Sequence, residues 1–105
     1  MKFFAVIVAL LAASVALAAS PFDGVWAPRA DACKTAFLAL RPSGEFENRL
    51  GDEPRKGRFR ATADRITLRF EEGEEQVLPV MDRTESRLVL FDETVEGDRR
   101  LVRCP

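Results

Sequence analysis

The stretch Arg58-Phe59-Arg60-Ala61-Thr62-Ala63-Asp64-Arg65-Ile66-Thr67-Leu68-Arg69-Phe70 decides how this chain folds. Phe59, Ala61 and Ala63 alternate with polar residues, and Ile66, Leu68 and Phe70 do the same after Asp64. A period of two puts one row of side chains on each face of a strand, so both runs predict half-buried β-strands. Ala63-Asp64 is short enough to join them as a hairpin. One wet face and one dry face per strand is the antiparallel pattern.

The same grammar extends in both directions. Glu45-Phe46-Glu47-Asn48-Arg49-Leu50 gives another strand, with Phe46 and Leu50 on its apolar side. Less regular strands are expected at Phe22 to Trp26, Thr35 to Arg41, Glu75 to Asp82, Arg87 to Phe91 and Arg99 to Cys104. Turns fall at Pro42-Ser43-Gly44, Gly51 to Pro54, Ala63-Asp64, Glu72-Gly73-Glu74 and Glu96-Gly97-Asp98. Pro79 cannot donate a ladder hydrogen bond and should mark an edge or a bulge. Pro28 to Lys34 can form one short helical turn. The fold class is therefore all-β: a small antiparallel meander of about 7 to 8 short strands, closing into a barrel or a flattened sandwich. Phe37, Phe46, Phe59, Leu68 and Phe70 are the expected filling.

The chain opens with Lys2, an unbroken apolar run from Phe3 to Ala13, and small residues through Ala19. This is the three-part pattern of a secretory signal peptide, with Ala16 and Ala18 supplying the small side chains that the peptidase needs. Residues 1–18 are read as the signal, cut after Ala18 or Ala19. The protein is then exported to the periplasm or the medium, with no stable membrane insertion after cleavage. Residues 19–105 form a single domain.

A domain this small buries too little apolar surface to be secure by its core alone. Its two cysteines, Cys33 and Cys104, are expected to form a disulfide in an oxidising compartment. A strict meander sets the two at opposite ends of the barrel. Either the 27–34 segment crosses the barrel mouth, or one of the turns is misplaced.

Composition excludes several functions. The chain carries 16 basic and 17 acidic residues and no histidine. Without a basic excess it has no means of holding nucleic acid by phosphate neutralisation. Without histidine it lacks the usual general base near neutral pH and the commonest metal ligand. With both cysteines bonded there is no nucleophile–base pair, so no enzyme activity, cofactor or metal is expected. Acidic clusters at Glu71 to Glu75 and at Glu93, Glu96 and Asp98 should share one barrel end with Asp52 and Glu53. They lack the spacing of a calcium loop and read as solvated tips.

Gly24-Val25-Trp26 resembles the G-x-W motif of lipocalins and related calycin barrels. In those barrels the Trp closes one end and an Arg of the last strand lies across it. The resemblance implies a lid formed by Trp26 and Arg103, and a calycin-type carrier of a small apolar ligand is the alternative function. Trp26 followed by Cys33 is also similar to small secreted barrel inhibitors of bacterial metalloproteases. Those act through an N-terminal trunk, which is short here. Arg58, Arg60, Arg65 and Arg69 point outward from two adjacent strands and form a candidate face for an anionic partner. The expected function is a small exported binding protein that engages a protein partner in the cell envelope, with a hydrolase inhibitor as the sharper version.

Overall fold

A computed structural model describes residues 20–105. The expected signal segment lies outside the described residues. Eight antiparallel strands follow one another in sequence order and close into a barrel. They are β1 (Gly24–Ala27), β2 (Leu38–Leu40), β3 (Glu45–Asn48), β4 (Arg55–Thr62), β5 (Arg65–Phe70), β6 (Glu75–Arg83), β7 (Arg87–Asp92) and β8 (Gly97–Arg103). Closure is made by β8 pairing back onto β1, with Trp26 opposite Arg103 and Ala27 opposite Val102. The flattened sandwich is thereby set aside in favour of the barrel.

Alternation decides which side chains face the interior. On β5, Ile66, Leu68 and Phe70 are buried while Arg65 and Arg69 are exposed. The interior is filled mainly by Trp26, Leu38, Leu40, Phe46, Leu88 and Leu101, together with the β5 row. Phe59 packs against this core from a partly buried position. Phe37 departs from the expectation. It precedes β2 by one residue, takes the outward parity, and meets the guanidinium of Arg49 5.9 Å from its ring centroid. Phe22 is buried instead, although it lies in the turn before β1 and not in a strand.

Gly57 shows how tightly the barrel is filled. It faces inward opposite both Phe46 and Phe70, whose rings meet edge to face at 5.5 Å and 78°. A Cβ at Gly57 would overlap the carbonyl oxygen of Arg69 and come within 2.9 Å of Phe46 Cε2. Only glycine leaves room for this aromatic pair.

Pro79 lies in β6, an internal strand of a closed sheet, so it marks no edge. Its neighbour Val80 donates its N–H to Asp64 O on the β5 side. Successive N–H groups alternate sides, so the Pro79 nitrogen faces β7. There a bulge interrupts the ladder: Val80 pairs with Leu90, but Asp82 pairs with Val89. The extra residue reverses the parity, so Arg83 pairs with Leu88 and, while remaining exposed, lies over the Phe22 ring at 5.5 Å.

The disulfide joins Cys33 and Cys104, whose Cα atoms are 5.9 Å apart, within the range such bridges require. The meander is nevertheless strict, and all the turns lie between consecutive strands. The conflict disappears because β1 is only four residues long, about 13 Å from end to end. The connection after it forms one turn of 3-10 helix (Ala30–Ala32) and doubles back down the outside of the barrel. Ala27 and Ala39 face outward by parity yet are buried, as residues beneath that connection must be. Cys104 donates its N–H to Val25 O, which places it beside the returning chain.

Candidate binding surface

Each barrel end is closed by an arginine laid on an aromatic ring. At the end where β1 begins, the Arg103 guanidinium lies 4.3 Å from the Trp26 ring centroid. It donates from Nε to Glu85 O at 2.6 Å, from Nη1 to Asp23 O at 2.6 Å and from Nη2 to Pro21 O at 3.2 Å. The Trp26 indole donates to Phe22 O at 2.9 Å, so the segment before β1 is strapped across the opening with Phe22 as its plug. Gly24 has φ +139°, and a Cβ there would lie 2.6 Å from Arg103 Nη1. The glycine of Gly24-Val25-Trp26 thus serves both the backbone conformation and the approach of the arginine.

At the opposite end the Arg55 guanidinium lies 3.9 Å from the Phe70 ring centroid. Its Nη2 donates to Glu72 and Glu74, 3.0 Å each. That contact holds the Glu72 carboxyl below the usual carboxylate range. The acidic tips do share this end, but two of their glutamates are occupied by Arg55. Among the described residues no three histidine, cysteine or carboxylate side chains converge as metal ligands would.

At the same barrel end sits Asp92, which is 6% exposed and which the sequence pattern does not mark. It faces inward because it continues the Leu88, Leu90 parity of β7. Gln76 Nε2 donates to its Oδ1 at 3.0 Å, and Thr94 donates to the same oxygen from N at 2.9 Å and Oγ1 at 2.6 Å. Arg99 Nε donates to Oδ2 at 2.7 Å. Burial alone would raise the Asp92 pKa, but the Thr94 and Arg99 contacts outweigh it and hold the carboxyl below its ordinary value. The arrangement is a structural clamp between β6, β7 and β8.

With the interior filled and both ends closed, the outer surface is what remains for contact. Arg58 and Arg69 are directly opposite one another on β4 and β5, and Arg60 is opposite Thr67. Glu45 flanks Arg58 on β3, and Glu75 flanks Arg69 on β6. The outward row therefore reads Glu45, Arg58, Arg69, Glu75. Arg58 donates to Ser43 O at 3.2 Å, and Arg60 approaches Glu75 to 4.0 Å. Glu47 is drawn away to Arg49 at 2.6 Å, so compensation of the ladder comes from Glu45 and Glu75. Arg58, Arg60, Thr67 and Arg69 line an open groove of about 390 Å³. Arg65 lies at the hairpin end, 3.7 Å from Asp64, and shares a neighbouring hollow with Arg60 and Thr67.

A second outward feature escaped the sequence reading. Val77, Met81 and Phe91 are exposed apolar side chains on β6 and β7. The signal was present in Leu88-Val89-Leu90-Phe91, where both parities are apolar. A strand with one solvated face does not read that way.

The fold is that of a small closed antiparallel β-barrel with one disulfide. No protein-family model, curated protein or solved structure matches the chain. The resemblance to calycins therefore rests on Gly24, Trp26 and Arg103 alone.

Proposed function

We propose that this is a small exported, non-enzymatic binding protein that engages a protein partner in the cell envelope through the outer face of β4 and β5. The apolar start of the chain supports export to the periplasm or the medium. The observation that carries the reading is the register pairing of Arg58 with Arg69. Like charges directly opposite on neighbouring strands work against the sheet by about 0.2–1 kcal/mol. The flanking Glu45 and Glu75 offset part of that cost, and two adjacent guanidinium groups suit an anionic surface on another molecule. The Arg58–Arg69 pair lies in the middle of the continuous face of β3 to β6 and not at a strand edge, so a partner recognising it uses that face. A hydrolase inhibitor is the sharper form of this proposal. The packed interior weighs against a calycin-type carrier, which needs an enclosed apolar cavity.

The test is affinity capture from periplasmic extract with the mature protein and with an Arg58→Glu/Arg69→Glu variant. The expected result is a protein retained by the wild type and lost with the variant, the loss being reproduced by raising salt. An identical captured set from both proteins would remove the arginine face from the reading.

A further inference from the structure

The apolar strip on β6 and β7 is separate from the arginine groove and has a charge pattern of its own. Val77 is 44%, Met81 57% and Phe91 38% exposed. Three large apolar side chains this open on adjacent strands are more than a scattered surface would hold. Pro79 pairs with Arg65 on β5, and Phe91 pairs with Asp98 on β8. The Val80–Leu90 pair sets the register between β6 and β7, and one step on brings Pro79 opposite Phe91. The outward row across four strands is thus Arg65, Pro79, Phe91, Asp98: a cation at one end, an anion at the other and two apolar side chains between them.

Such a row is its own complement. A two-fold axis lying in the interface plane, parallel to the strands and midway between Pro79 and Phe91, sets Arg65 of one copy against Asp98 of the other. It also sets Pro79 of each copy against Phe91 of its mate. The bulge adds to the strip, since Met81 and Asp82 both stand opposite Val89 and Met81 joins the outward side. Methionine, phenylalanine and arginine are the residue types that interfaces favour. A rim of both signs is poorly suited to a uniformly anionic lipid surface, and a self-complementary patch is what an isologous dimer requires.

We infer that the outer face of β6 and β7 is a self-association interface, on which a second copy of this chain packs about a two-fold axis with Arg65 and Asp98 facing each other across it. This goes beyond the partner reading and leaves the Arg58–Arg69 pair outside the footprint, once on each copy. Four strands span about 15 Å and five residues about 17 Å. Such a footprint, roughly 250 Å² per copy, lies below that of stable specific interfaces, so the association is weak and concentration-dependent.

Sedimentation velocity on the mature protein tests this between about 10 μM and 1 mM in low salt, where a dimer of such a footprint would titrate. The wild type should shift from monomer to dimer across that range. Arg65→Asp and Asp98→Arg should each weaken the association by at least about tenfold, and the two together should bring it back to within about threefold of wild type. Phe91→Glu should abolish it with no change in the partner captured through Arg58 and Arg69. A wild type that stays monomeric throughout overturns the inference, as does an association indifferent to the single reversals. A monomer that instead sediments with phosphatidylglycerol vesicles, and loses this with Met81→Glu, would assign the strip to a lipid surface.

Discussion

Arg103 and Trp26 are opposite one another where β8 closes onto β1, with the guanidinium 4.3 Å from the ring centroid. One side chain thereby reads three carbonyls, those of Pro21, Asp23 and Glu85, and ties the entering chain to the turn between β6 and β7. Replacing Arg103 by Ala strips donors from all three and uncovers the indole. The expected cost is about 2–3 kcal/mol in urea denaturation. Arg103→Lys should recover less than half of it, because a single ammonium cannot reproduce a planar fork with three separate acceptors. Full recovery by lysine would reduce the role of this pair to simple charge.

The disulfide closes a loop spanning 71 residues between Cys33 and Cys104. Loops of that length restrict the unfolded chain strongly, by about 4 kcal/mol in the chain-entropy account. Cys104→Ser is expected to lower stability by about 2–5 kcal/mol. Dithiothreitol should produce the same loss in the wild type and none in the variant. A melting temperature that does not respond to reductant would show that the bridge contributes little to holding the 28–37 connection against the barrel.

Gly57 should tolerate no side chain. Its Cβ would collide with the backbone of Arg69 and with the Phe46 ring, and backbone cannot step aside as the tip of a long side chain can. Gly57→Ala is expected to destabilise by about 1–3 kcal/mol through overpacking, and Gly57→Val by more. Gly51, where an added Cβ meets nothing within 4 Å, provides the control, and Gly51→Ala should be close to neutral by the same denaturation measurement.

These sites differ in how well the sequence announces them. β5 is bounded where alternation ends, at Arg65 and Phe70, because three large inward side chains and three polar outward ones leave no ambiguity of period. β2 shrinks from an expected run of Thr35 to Arg41 to Leu38–Leu40, because the preceding residues go to the connection that carries Cys33. The last turn lies at residues 93–96, ahead of its glycine. Gly97 already pairs with Asp92 in the ladder, and Glu96 adopts the left-handed conformation instead, at φ 55°. Arg83 cannot be placed by parity at all, since the bulge before it inverts the inward and outward assignments. Trp26 and Arg103 are brought together by closure of the first strand on the last, a contact that no local pattern encodes. Asp92 is hidden for a different reason. A carboxylate at the end of an apolar run reads as the start of a turn, and only the tertiary arrival of Gln76 and Arg99 makes it a buried clamp.

Asp92 makes the stability of the protein depend on acid. Its carboxylate is buried at the barrel end, and Thr94 and Arg99 hold its folded pKa below the ordinary value of about 3.9. A carboxyl whose folded pKa is lowered contributes stability that is fully present above the unfolded pKa. That contribution is lost as pH falls through the folded one. The clamp should therefore be intact at neutral pH and begin to weaken only below about pH 4. Asp92→Asn keeps the shape but removes the charge that faces Arg99, and should cost about 1–3 kcal/mol at pH 7. The decisive measurement is the difference in unfolding free energy between wild type and Asp92→Asn, followed from pH 7 to pH 2. It should stay constant down to about pH 4 and shrink below that, as the wild-type carboxyl becomes protonated. A difference that is constant to pH 2 would mean that Asp92 acts through packing and neutral hydrogen bonds alone. A difference that instead grows as pH falls from about 6 to about 4 would place its folded pKa above the ordinary value and reverse the balance between burial and its Thr94 and Arg99 contacts.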